Sequence, residues 1–139
     1  MNVLFLCVAN SARSQMAEGL ARTFLGRNFS IQSAGSSPSF VHPLAIQVMQ
    51  ELGIDISQQK SKSVSEINVN SIGLVITLCQ EEVCPTLPRK TRVLHWSLTD
   101  PAAVKGPLET QLKAFRSVRD EIYQKLKTEF GQSEKTQSA

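Results

Sequence analysis

The chain has 139 residues, 41% of them hydrophobic and 19% charged, with a net charge of +3. That length suits one domain with a real core, and those proportions fit a soluble globular protein. The longest apolar runs are too short for a membrane helix, and the charge forms no long basic block. Both membrane spanning and nucleic-acid binding are therefore excluded at this stage. The hydrophobic start reads as a first strand and not as a secretory leader, so a cytoplasmic monomer is the default expectation.

In chain order, residues 2–6 read as a buried strand, because Val3, Leu4, Phe5 and Leu6 form a short apolar run. From Ser14 onward, Met16, Ala17, Leu20, Ala21 and Phe24 recur at helical spacing, predicting a helix over 14–26 that ends near Gly26. A second strand is expected at 29–34, before the turn-rich Gly35-Ser36-Ser37-Pro38. Residues 42–52 form an amphipathic helix stopped by Gly53, with His42 before Pro43 as its starting residue and without catalytic duty. Ser57 to Ser65 is polar and reads as a loop with a short helical turn. Residues 72–78 form another buried strand, Val93 and Leu94 a short fourth one, and 107–130 a long terminal helix. Arg116, Arg119 and Asp120 on that helix are expected to be solvated, and Trp96 to belong to the core. Residues 131–139 are polar and are expected to form a disordered tail behind a single domain at 1–130.

Strands separated by helices imply parallel pairing with right-handed crossovers, hence a three-layer α/β sandwich on a four-stranded parallel sheet. Ligands of such sheets bind beyond the carboxyl ends of the strands, near the switch in strand order. Cys7, Cys79 and Asp100 all follow strands in this way, so distant parts of the chain should converge on one crevice.

The densest chemistry lies in Cys7-Val8-Ala9-Asn10-Ser11-Ala12-Arg13-Ser14. A loop that closes onto a helix N-terminus turns several N–H groups into one concavity, which binds an anion and favours a thiolate. A neighbouring arginine lowers the thiol pKa further and can hold two oxygens of a tetrahedral oxyanion in a planar fork. Asn10 is placed to hold the loop's shape by hydrogen bonding, and Ser14 to donate to the Cys7 thiolate. A buried core cysteine is the alternative, but its neighbours here are polar loop formers. Three cysteines in a reducing compartment are thiols or redox groups and not structural staples. Two histidines, His42 and His95, leave little material for a zinc site.

On residues alone, Cys79 and Cys84 are either buried thiols near a strand end or a reactive pair, and Asp100-Pro101 is either a turn or an aimed carboxylate. If residues 80–84 were helical, the two cysteines would lie about 7.5 Å apart along the axis. A disulfide wants Cα atoms within about 6.8 Å, so the segment would partly unwind to form one.

The pattern of Cys7, five residues, then Arg13-Ser14 after the first strand resembles the low-molecular-weight protein tyrosine phosphatase superfamily. Its continuation through Gln15-Met16-Ala17-Glu18-Gly19 is more similar to the thioredoxin-coupled arsenate reductases of that superfamily. The resemblance implies a phosphatase-like fold and reduction of arsenate, with phosphate or sulfate as analogues. It also implies no bound cofactor, no metal, and thioredoxin as electron donor. Cys7 is then the nucleophile, Arg13 and residues Val8 to Ser14 hold the oxyanion, and Asp100 is the general acid. Cys79 and Cys84 relay the oxidation outward.

Some reductases of this branch bind potassium through residues matching Asn10 and Glu18, with a threonine and an aspartate where this chain has Lys60 and Lys62. The resemblance then implies either a lysine ammonium in the cation's place or two plain surface charges. Many reductases also carry a second cysteine where Ala12 stands, which lies outside the three relay positions. Two other readings stand beside reduction. One is a tyrosine phosphatase, disfavoured because Ala102-Ala103-Val104 offers no aromatic grip after Asp100-Pro101. The other is a thiol binder of arsenite or a soft metal, which needs neither Arg13 nor Asp100.

Overall fold

The computed structural model describes residues 1–79 and 91–138. Strands β1 (Asn2–Cys7), β2 (Ser30–Gly35), β3 (Leu74–Thr77) and β4 (Arg92–His95) form one sheet in the order β2-β1-β3-β4. Every neighbouring pair is parallel, with Leu6 opposite Ala34 and Thr77, and Thr77 opposite His95. The chain leaves β1 to one side for β2 and returns on the other side as β3. The switch in strand order therefore falls at the carboxyl ends of β1 and β3, where Cys7 and Cys79 lie.

Alternation along β1 splits the core into two faces. Val3, Phe5 and Cys7 face helices α1 (Arg13–Leu25), α2 (Pro43–Gln50) and α3 (Leu108–Ser138), whose Met16, Leu20, Val48, Met49, Phe115 and Ile122 are buried against them. Leu4 and Leu6 face the other way, with Ala34, Ile72 and Val75, under Val64 and Ile67. Those last two lie on and beside 3-10 turns at Val64–Glu66 and Val69–Ser71, so the return from α2 to β3 supplies the third layer. Trp96 is buried, with its ring 6.2 Å from that of Phe5.

Two expectations change. The terminal helix extends to Ser138, past the end that its apolar stripe marks at Phe130. Arg119 is not solvated but buried, and its Nη1 donates to the Val48 carbonyl and to Glu51 Oε1, both at 2.8 Å. The last carbonyls of α2 have no partner within their own helix, and a guanidinium satisfies one while meeting the negative end of the helix dipole. Arg116 clasps the same Glu51 with two nitrogens, and Arg119 Nε holds Asp120. Hydrogen bonds from these arginines hold the Glu51 carboxyl below its ordinary range. The charges thus join α3 to the end of α2, a contact that helical spacing alone does not reveal.

Candidate active site

The loop after β1 is held from behind by residues 35–42. The carbonyls of Val8, Ala9 and Ser11 accept the N–H groups of Ser37, Ser39 and His42 at 2.9, 3.0 and 3.0 Å. A trans peptide turns the following N–H opposite to its carbonyl, so those of Ala9, Asn10 and Ala12 face away from that segment. Ser61 Oγ adds a second hydrogen bond to the Ala9 carbonyl at 2.9 Å. The approach is close at Gly35, where a Cβ would stand 2.2 Å from the Val8 oxygen, leaving no room for another residue.

Asn10 sits at φ 46°, in the left-handed region that asparagine tolerates better than most residues. It is fully buried, and its Oδ1 accepts from Gln15 Nε2 and the Lys62 N–H, each at 3.0 Å. Its Nδ2 donates to Ser14 Oγ at 2.7 Å. That bond occupies an acceptor site on the Ser14 hydroxyl, leaving its hydrogen for Cys7 Sγ, 3.0 Å away. Asn10 thus links Ser14, Gln15 and the Lys62 backbone through one side chain.

The Cys7 thiol is buried, yet its pKa is lowered to about 6. A hydrogen bond from Cys79 contributes most, burial opposes, and the Ser14 hydroxyl, the Ser14 N–H and the Arg13 charge add to the lowering. A thiolate therefore predominates at neutral pH. Cys79 reaches Cys7 from the end of β3, with its own Sγ 3.9 Å from the Leu6 carbonyl.

Arg13 is buried as the first residue of α1. Its Nη1 donates to the Leu98 carbonyl at 3.1 Å, and Nη2 stands 3.9 Å from Asp100 Oδ2. Asp100 begins a 3-10 turn at Pro101–Ala103, and its Oδ1 accepts the Ala102 N–H at 3.0 Å. Its side chain is 36% exposed, so the carboxylate lies on the open side of the site. Cys7, Arg13, Ser14, Cys79 and Asp100 thus converge from three strand ends, as expected. Cys84 lies outside the described residues.

The Glu18 carboxylate is buried and accepts from Ser33 Oγ at 2.6 Å. Arg22 Nη2 lies 2.9 Å from it and Lys62 Nζ 4.0 Å. Among the described residues, no group of three or more His, Cys, Asp or Glu side chains is arranged to hold a metal. The sequence reading had missed Gln15 as a linchpin. Its Nε2 binds the Asn10 and Lys60 carbonyls, while Gln59 Nε2 binds its Oε1. Its partners at Gln59 and Lys60 lie more than forty residues away in the chain, so no local signal marks it.

The family model for low molecular weight phosphotyrosine protein phosphatases matches residues 2–138. The chain belongs to this family. Within it, the chain is 42% identical over 135 residues to an arsenate reductase of Bacillus subtilis, covering 96% of each chain. A solved arsenate reductase in a phosphate-binding state superposes with TM-score 0.79 at 37% identity, covering 91% of this chain and 94% of that one. A thioredoxin-dependent arsenate reductase of Corynebacterium glutamicum superposes with TM-score 0.65 at 28% identity, over 91% of this chain and 62% of its own. The phosphatase-like fold expected from the sequence is the fold observed.

Proposed function

We propose that this protein reduces arsenate to arsenite in the cytoplasm, as a monomer that draws electrons from thioredoxin. The observation that carries the reading is the buried Cys7 thiol, 3.0 Å from the Ser14 hydroxyl, in reach of Cys79 and beside Arg13, whose guanidinium stands 3.9 Å from Asp100. The names of its relatives point the same way.

Arsenate binds to the inward N–H groups of residues 8–14, with Arg13 holding two of its oxygens. The Cys7 thiolate attacks arsenic, and one arsenate oxygen leaves as water after taking a proton from Asp100. Cys79 then attacks the Cys7 sulfur. The electron pair of the sulfur–arsenic bond passes to arsenic, arsenite departs, and a Cys7–Cys79 disulfide remains. Cys84 attacks Cys79 in turn, releasing Cys7 and leaving a Cys79–Cys84 disulfide that thioredoxin reduces. All three thiols are used, and no resident cofactor or metal is required. Lys62 supplies a positive charge near Glu18, so equal turnover in potassium and sodium salts is expected.

The deciding assay is arsenate-dependent NADPH oxidation with thioredoxin and thioredoxin reductase. The unmodified protein should turn over, and Cys84→Ser should stop after a single reduction. No turnover by either, beside rapid hydrolysis of an aryl phosphate, would move the assignment to phosphatase. Stable capture of arsenite without turnover or hydrolysis would move it to a thiol binder.

A further inference from the structure

His42 joins two parts of the molecule. Its backbone N–H donates to the Ser11 carbonyl of the oxyanion loop at 3.0 Å, and its ring caps α2 by accepting the Leu44 N–H on Nδ1 at 3.1 Å. The ring packs on Phe115 of α3 with centroids 4.7 Å apart, and Phe40 stacks on it at 6.4 Å with planes 25° apart. An N-cap is ordinarily an oxygen, which accepts at any pH. An imidazole accepts on Nδ1 only while neutral.

We infer that His42 is a titratable positioning residue for the oxyanion loop: neutral, it starts α2 and fixes the Ser11 carbonyl together; protonated, it surrenders the cap and loosens the loop. The reason is local. A proton on Nδ1 would face the Leu44 N–H, two donors 3.1 Å apart, so the ring must leave the cap; with Phe40 and Phe115 against it, that displacement passes to the backbone N–H held on Ser11.

Among the described residues, Asp100 is the charged group that acts on the ring, and Asp100 itself faces Arg13. Phe40 and Phe115 carry no charge, while Arg116 and Arg119 of α3 are engaged with Glu51. Cys7 and Arg13 are the ionisable groups of the loop itself. Burial lowers the His42 pKa below its ordinary value of 6.5, and Asp100 opposes that. The folded state therefore favours neutral imidazole. The latch is complete above pH 6.5 and is lost as pH falls through the lowered His42 pKa.

The inference rests on reading residues 8–14 as the oxyanion site, and its test separates the two. Sulfate keeps one charge state across the range, and Cys7→Ser removes the thiol titration. In that variant, sulfate affinity should fall about fivefold between about pH 8 and the acid end of the His42 ring titration, the effect of a lost cap. Adding His42→Asn, a cap that does not titrate, should restore a flat profile. Equal pH dependence in both chains overturns the inference. Sulfate binding by neither at about pH 8 defeats the oxyanion reading instead. The latch is then decided by the Leu44 and Ala12 amide resonances of the unmodified protein. Movement of both with the His42 ring titration supports it, and independence overturns it.

Discussion

The loop after β1 and the residues Cys79 and Asp100 beyond β3 and β4 meet at one end of the sheet, but they are held differently. Residues 8–14 are fastened by carbonyl contacts to Ser37, Ser39 and His42 and by the buried amides of Asn10 and Gln15. Cys79 has a 3.9 Å contact with the Leu6 carbonyl and its hydrogen bond to Cys7. Asp100 has one backbone donor and a long approach to Arg13. In the proposed reaction the oxyanion cradle must stay fixed while charge develops, which favours donors set in advance. Cys79 must exchange one sulfur partner for another, and Asp100 must meet a departing oxygen. Lighter tethering suits both.

That contrast can be broken most severely at Cys7. Cys7→Ser should lower arsenate turnover by about 10⁴-fold or more while leaving sulfate affinity near that of the unmodified protein, as read by calorimetry. A matching loss of affinity would mean that the thiolate, and not the loop, organises the cradle.

Asp100→Asn removes a proton donor from the lightly held side. Turnover should fall about 10²- to 10³-fold with little change in anion affinity. Loss of affinity without loss of turnover would place Asp100 in the cradle and remove its role as acid.

The smallest effect is expected at Ser14, whose hydroxyl supports the thiolate from the fixed side. In the unmodified protein, alkylation of Cys7 should rise through about pH 6 as its thiolate forms. Ser14→Ala removes a stabilising donor and shifts that midpoint upward by about one unit. The rate near pH 6 then drops about fivefold. An unmoved midpoint would leave Cys79 and Arg13 as the groups that hold the thiolate.

Much of the site was legible because its parts are consecutive. Cys7, Asn10, Arg13 and Ser14 lie in one strand–loop–helix unit, where spacing and local chemistry carry the message. Asp100 and Cys79 were placed by the logic of strand ends. Gln15, Ser33 and Gln59 were not legible, since a polar side chain reveals its partners only when distant segments are packed together. Arg119 failed for the same reason. Helical spacing put it on a polar face, but its guanidinium crosses to a carbonyl of α2.

The sequence by itself determined the alternation of strands and helices, the family, and the thiol, guanidinium and hydroxyl around one anion. Those follow from apolar periodicity and from residues within a few positions of each other. Only the tertiary structure decided that Cys79 reaches Cys7, that Gly35 must lack a side chain, and that His42 ties α2 to the loop. Each depends on contacts between segments remote in the chain, whose geometry is set by sheet order and core packing.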